Sequence, residues 1–393
     1  MDRSTTTDVR RIVTDRKGLD TLVAALGAEY DAVIGPRVSG GAVTYDPIAS
    51  TADLPVGMVD EQEGGHYRLH DGAGDALFAY TVGPQSWKKY LYPPRQTLWR
   101  GTRHGGGFAV EAPPAPTERL VFFGVRPCEL AAIAIQDKVF GAAAHDGRAK
   151  GEQQYTDTGY AARRAASFIV AVNCGRAAAT CFCASMDTGP KARSGHDLAI
   201  TELPDDGGFA YLVEAGSDRG EALLDRLGGR PAADGDIESA EAVSEATRAS
   251  MKREMVPDAA PLLARNLDHP RWDEVAERCL SCANCTMVCP TCFCSTVEDT
   301  TDLTGDHVER WRRWDSCFTL DFSYIHGGSI RRDTRSRYRQ WMTHKLSSWE
   351  EQFGTSGCTG CGRCITWCPV GIDITEEARA IHESERRANE GSA

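Results

Sequence analysis

The sequence predicts a two-part protein. An α+β or α/β domain spans residues 1–260, and a mainly helical, cysteine-built domain spans 261–393. Three observations carry this division. Leu120–Val125 and Phe168–Val172 are continuous apolar runs, the pattern of buried strands in a layered α/β sheet. Eleven of the fifteen cysteines fall after residue 278, most of them in two regularly spaced runs. An acidic-then-basic stretch, 232–258, leads into a linker from Pro257 to Pro261, which puts the boundary near residue 260.

At 393 residues the chain is long enough for two or three cores. Its 41% hydrophobic and 25% charged content are ordinary for a soluble protein. A net charge of −12 argues against a general nucleic-acid or anionic-membrane binder. The first twenty residues are polar, with no apolar core of a secretory signal, and no apolar run reaches the roughly 20 residues of a membrane span. The cysteines are therefore expected to serve metal chemistry in a reducing cytoplasm, not disulfides.

In chain order, residues 17–30 predict a helix, because Leu19, Leu22, Val23 and Leu26 recur at helical spacing. Residues 42–45 and 76–82 read as strands. The stretch 83–90 breaks the pattern; its Trp87 and Tyr90 are expected to cover the core, with a docking surface as the alternative. The 120–125 strand runs through Arg126 and Pro127 to Cys128, followed by a helix over 129–139. The 168–172 strand leads to Asn173 and Cys174. If these strands are parallel neighbours, both cysteines emerge on the rim where α/β sheets build sites. Cys181 and Cys183 follow in Thr180-Cys181-Phe182-Cys183, so Cys128, Cys174, Cys181 and Cys183 form a candidate third cluster site, with zinc or buried inert thiols as alternatives. Residues 197–201 and 209–214 predict a hairpin across the turn 204–208, and 238–252 a surface helix.

The second part holds the strongest signal. Cys279, Cys282, Cys285 and Cys289-Pro290 make one C-x2-C-x2-C-x3-C-P run, and Cys358, Cys361, Cys364 and Cys368-Pro369 make another. This is the spacing of a bacterial-ferredoxin [4Fe–4S] site, in which three thiolates wrap one cube and the fourth ligates the other. Cross-ligation groups Cys279, Cys282, Cys285 and Cys368 on the first cluster, and Cys358, Cys361, Cys364 and Cys289 on the second. Tetrahedral zinc needs only paired cysteines and explains the runs less well. The domain is thus read as a ferredoxin-like 4Fe-4S dicluster domain. Arg363, inside the second run, is expected to raise that cluster's potential by stabilising added negative charge.

Between the runs lie 68 residues, expected to form helices packed on the cluster core. Thr291-Cys292-Phe293-Cys294 repeats the letters of 180–183, and Cys317 follows. Cys292, Cys294 and Cys317 lack an obvious fourth ligand, so a packing role is favoured over iron binding. Residues 309–345 mix arginine with Trp311, Trp314, Tyr338 and Trp341; on so acidic a chain, charge compensation or an acidic partner fits better than nucleic acid. A charged C-terminal helix is expected over 374–387. No Gly-x-Gly-x-x-Gly, P-loop or Gly-x-Ser-x-Gly run is present, so the chain is expected to bind no flavin or nicotinamide alone and to carry no catalytic residue of its own.

The run Phe123-Gly124-Val125-Arg126-Pro127-Cys128-Glu129-Leu130, the 173–183 segment, Leu54-Pro55-Val56-Gly57, Val82-Gly83-Pro84-Gln85-Ser86 and both cysteine runs resemble the iron–sulfur beta subunit of soluble NAD(P)-linked [NiFe] hydrogenases, the sulfhydrogenases. The iron–sulfur, electron-input subunit of anaerobic sulfite reductase is similar. The resemblance implies an electron-transfer role within a cytoplasmic oxidoreductase complex. Its partners would be a flavin/NAD(P)-binding subunit and the small and large [NiFe] hydrogenase subunits, with no nucleic acid and no membrane. Electron input to a sulfite reductase is the alternative, and a redox-sensing iron–sulfur protein a further one.

Overall fold

The computed structural model describes residues 9–141, 156–205 and 207–390. Its strands in chain order are β1 (Arg11–Thr14), β2 (Ala32–Ser39), β3 (Ala42–Pro47), β4 (Met58–Glu63), β5 (His66–Asp71), β6 (Arg95–His104), β7 (Gly107–Glu111), β8 (Leu120–Val125), β9 (Phe168–Val172), β10 (Leu198–Asp205), β11 (Gly208–Ala215), β12 (Arg230–Pro231), β13 (Ser295–Thr301) and β14 (His307–Trp314).

Eight of these strands form one sheet in the order β12-β1-β11-β10-β9-β8-β2-β3. The middle four, β10, β9, β8 and β2, are parallel; the flanking pairs are antiparallel. Parallel strands are covered on both faces, which is why β8 and β9 are unbroken apolar runs. Alternate residues serve opposite layers. Val121, Phe123, Val170 and Val172 meet Leu19, Leu22, Val23 and Leu26 of the helix Arg16–Glu29. Phe122, Ile169 and Ala171 meet Leu130 and Ile133 of the helix Pro127–Val139, together with Trp87 and Tyr160. Trp87 is thus core, as the sequence suggested.

The expected strand over 76–82 is a difference. The segment is buried but joins no sheet, because side chains take up its backbone groups. Leu77 N donates to Glu202 Oε1 at 2.6 Å, Thr81 N donates to Asp60, and Arg126 Nη2 donates to the carbonyls of Phe78 and Tyr80 at 3.0 and 2.7 Å. The predicted hairpin is present as β10–β11, although Asp206 in its turn lies outside the described residues. The surface helix runs Asp234–Ser250, and the expected linker passes into a further helix, Ala259–Arg265.

The second part is a mixture of helices and strands, not mainly helical. β13 and β14 form a hairpin within the insertion, and β14 pairs antiparallel with β6, giving a second sheet ordered β13-β14-β6-β7. Residues on either side of position 260 therefore share one sheet. The arginines here are largely paired: Arg310 with Asp299, Arg312 with Asp157, Arg313 with Glu298, and Arg335 with Asp273. Their partners are thus carboxylates of this chain, where the sequence suggested negative clusters or an acidic partner. Helices Thr334–Thr343 and Ile374–Glu390 pack a second core around both cysteine runs. No described helix is long and apolar enough to cross a membrane.

Candidate iron–sulfur centres

The two cysteine runs follow the same backbone path. In each, the residues before and after the second cysteine have positive φ: Ser281 at 51° and Ala283 at 66°, Gly360 at 62° and Gly362 at 75°. A one-turn helix follows in each case, Asn284–Met287 and Arg363–Thr366. The doubled left-handed turn coils the chain so that amides face sulfur. Ser281 N donates to Cys279 Sγ and Gly360 N to Cys358 Sγ, both at 3.4 Å, and Ile372 N donates to Cys368 Sγ at 3.3 Å.

The sulfurs group across the two runs. Burial pushes the Cys285 thiol well above its ordinary range, and Cys279, Cys368 and Cys282 push it further. Burial likewise raises Cys364, with Cys358, Cys361 and Cys289 as the next influences. Cys358 is pushed up to about 12 by burial, against the pull of Lys345. Thiols gathered in this way are costly to ionise without a cation between them, and bound iron removes that cost. Two orphaned donors fit the same demand. Tyr338 Oη is buried without a hydrogen-bond partner, and Cys285, Cys364 and Cys279 are among the charges nearest it. Arg363 Nη1 is buried without a partner, with Cys361 and Cys128 among its neighbours. Among the described residues no three His, Cys, Asp or Glu side chains close on a single ion.

The four N-terminal cysteines also converge. β8 and β9 are parallel neighbours, so Cys128 at the head of its helix and Cys174 after β9 leave the sheet on one rim. The loop that follows brings Cys181 and Cys183 to them. Burial raises all four thiols: Cys181, up to about 12, is pushed next by Cys174, and Cys183 next by Cys181, Cys174 and Cys361. Arg126 opposes the rise at Cys174.

This group is pressed onto the second cysteine run. Phe182 N donates to Gly360 O at 2.9 Å, Thr188 Oγ1 donates to Thr359 O at 2.6 Å, and Thr180 Oγ1 bonds Thr366 Oγ1 at 2.9 Å. The approach needs glycine. A Cβ on Gly360 would lie 2.6 Å from Cys183 Cα, and one on Gly362 would lie 2.4 Å from Thr180 O. The first run carries Ser281 and Ala283 at the same positions, where Ser281 Oγ bonds Thr334 Oγ1 at 3.1 Å and the Cβ atoms have room. The repeated Thr-Cys-Phe-Cys has a matching use in its second copy: Thr291 Oγ1 donates to Gly357 O at 2.6 Å. Both copies therefore brace the second run.

Arg363 sits between the second run and the N-terminal group, 1% exposed. Its Nη2 donates to Glu129 Oε1 at 2.5 Å, and its Nε and Nη2 donate to the carbonyls of Gly83 and Gln85. Glu129 also accepts from Tyr45 Oη at 2.8 Å and Trp87 Nε1 at 3.1 Å. The arginine charge expected to act on the cluster is thus largely offset by a buried carboxylate. A cation that sequence reasoning missed stands closer: buried Lys345 Nζ is 3.3 Å from Cys289 Sγ and 3.0 Å from Thr291 Oγ1. Buried Lys88 Nζ donates to the carbonyls of Cys289 and Cys292 and lies 4.0 Å above Trp314. A lone lysine in a surface-like stretch leaves no signal in sequence; the repeated Thr-Cys-Phe-Cys beside it was the available clue.

Comparison with known proteins agrees with this geometry. Residues 278–372, which include both cysteine runs, match the 4Fe-4S dicluster domain family. The chain is 31% identical over 274 residues to sulfhydrogenase 2 subunit beta of Pyrococcus furiosus, an alignment that covers 67% of this chain and 75% of that one. At that identity and coverage, the chain belongs to the sulfhydrogenase beta-subunit family of iron–sulfur proteins.

Proposed function

We propose that this chain is the electron-transfer subunit of a cytoplasmic, sulfhydrogenase-like complex, with two [4Fe–4S] clusters in its cysteine runs and a third at Cys128, Cys174, Cys181 and Cys183. The observation that carries the reading is the close seating of the N-terminal cysteine group on the second run, through Gly360 and Gly362. Electron exchange between centres needs such proximity, and inert buried thiols would not. Each cluster, when bound, takes up and returns one electron. The residues of the chain fix the thiolates, donate N–H groups to them and exclude water. Tyr338 and Trp341 cover the first set, and Lys345 places positive charge beside the second.

The partners follow from the family: a flavin subunit exchanging hydride with NAD(P)H, and small and large [NiFe] hydrogenase subunits. Pull-down of the native chain from an anaerobic extract, with identification of the captured subunits, tests this. Recovery of nickel- and flavin-containing subunits supports it, and recovery of a siroheme protein overturns it in favour of a sulfite reductase. Iron analysis tests the third cluster by difference. Cys174→Ser should carry about four irons fewer per chain than the wild type, and an unchanged count would refute it.

A further inference from the structure

Eight cysteines belong to the two runs and four to the N-terminal group, which leaves Cys292, Cys294 and Cys317 of the fifteen. The structure brings these three together. Cys294 lies close enough to Cys317 to raise its cost of ionisation, and Cys289 of the second run acts on Cys292 in the same way. All three line a cavity of about 410 Å³, with Arg331, His344, Lys345 and Trp349 among its other walls.

Two features of this cavity call for an anionic occupant. Lys345 in its wall is buried and, among the described residues, has no carboxylate partner; Lys88, buried behind the wall on the Cys289 and Cys292 carbonyls, has none either, and the sulfurs of Cys289 and Cys292 are among the charges nearest each. A buried ammonium without an anion is costly. The Trp349 indole Nε1, in a side chain only 2% exposed, has no hydrogen-bond partner, and Trp341, which borders both this cavity and the first cysteine set, has none either. Thiolates on iron would supply the negative charge, and cluster sulfide would supply the acceptors.

We infer that Cys292, Cys294 and Cys317 hold a further iron–sulfur cluster, with three protein thiolates and one iron open to the cavity, where Arg331 and Lys345 favour a small anionic ligand. The fourth position is open because Cys289, the nearest remaining sulfur, is committed to the second run. Cys294 precedes β13 and Cys317 follows β14, and the pairing of Ser295 with Trp314 at the open end of that hairpin brings the two thiols to the site together. The inference rests on the iron–sulfur reading of the chain but not on the N-terminal cluster.

Iron and acid-labile sulfide are counted on the full chain and its variants, prepared anaerobically. Cys317→Ser and Cys292→Ser should each carry about four irons fewer than the wild type, with the EPR signals of the two runs retained. A variant that keeps the wild-type count overturns the site. Cys174→Ser should lose a different four, so a loss confined to Cys174→Ser supports the N-terminal cluster and sinks this one. Loss confined to Cys317→Ser and Cys292→Ser does the reverse. If a variant loses the run signals as well, the wild-type chain supplies the answer. Cyanide added to the reduced wild-type protein should alter one cluster signal and leave those of the cysteine runs unchanged; a spectrum indifferent to cyanide overturns the open position.

Discussion

Replacing Gly362 with alanine tests whether the second cysteine run and the N-terminal group are built as one unit. The added Cβ would stand 2.4 Å from the Thr180 carbonyl oxygen and 2.7 Å from its carbonyl carbon. Ordinary contact lies near 3.5 Å, so one backbone must retreat by roughly 1 Å. Overpacking of this kind costs about 1–3 kcal/mol. The positive φ of 75° adds a further ~1–2 kcal/mol for a residue with a Cβ. The stiffer unfolded chain returns about 0.4–1 kcal/mol, leaving a net loss of roughly 2–4 kcal/mol. Unfolding of a cluster protein is irreversible, so the assay is the lifetime of the visible iron–sulfur absorbance in denaturant. The lifetime should fall at least about tenfold, since interactions that the unfolding transition state no longer makes act on the unfolding rate. Ala283→Gly, at the matching place in the first run, adds no atom and relieves a positive φ of 66°, so it should not shorten the lifetime tenfold. Equal lifetimes for Gly362→Ala and the wild type would refute the claim that this glycine exists to admit the 180–183 loop.

Lys345→Met removes the ammonium 3.3 Å from Cys289 Sγ. With an added electron spread over a cluster about 6 Å away, an effective dielectric of 20 gives roughly 3 kcal/mol, so the midpoint potential of that cluster should fall by on the order of 100 mV; an unchanged redox titration would exclude the lysine as a determinant. Arg363→Ala strands Glu129, buried at 1% exposure, and should destabilise the chain by about 3–5 kcal/mol, with much of the loss recovered in Arg363→Ala/Glu129→Gln. Denaturant lifetimes of the two variants check this, and no recovery in the double variant would place the cost in the broken hydrogen bonds to the Gly83 and Gln85 carbonyls instead. On the surface, the hydrogen bond from Arg265 holds Glu385 down at about 2. A depressed carboxylate contributes stability above its unfolded range, near pH 4, and loses it as pH falls toward 2. Glu385→Gln should therefore flatten the acid limb of the stability profile slightly, because the pair is exposed and screened; a profile identical to wild type would show the pair contributes nothing.

What could be read in the sequence and what could not have separate physical causes. The cysteine runs are legible because ligand spacing is local: the coil around a cube is set by residues two and three apart. β8 and β9 are legible because burial on both faces leaves no polar position. Residues 76–82 have the same apolar character but no partner strand, since Glu202, Asp60 and Arg126 take their amides and carbonyls. These bonds come from far along the chain, and no local pattern announces them. The β13–β14 hairpin was hidden for a related reason. Its arginines and tryptophans look like a helix surface until β6 is present to pair with them. Lys88 and Lys345 are the clearest omission, since their importance lies in where they are buried and not in any motif.

The arrangement of the cysteine groups also says something about order. Cys282 is exposed, and Leu280 beside it is 63% exposed, so the first run reaches the surface. The second run is more enclosed: its four cysteines are half-buried, and only its closing Pro369 is exposed. It touches the first set through Cys285 and Cys364, the N-terminal group through Cys361, and the 292–317 group through Cys289. Every other cysteine group borders it. A linear wire gives no centre more than two neighbours, whereas here one centre borders three. In the proposed assembly that makes the second run a junction and the first run the surface terminal, with the 292–317 group bordering the first set as well, where Cys285 acts on Cys317. It also accounts for the unequal glycines: the junction alone must admit neighbours at backbone contact, and it alone has Gly360 and Gly362 where the terminal has Ser281 and Ala283.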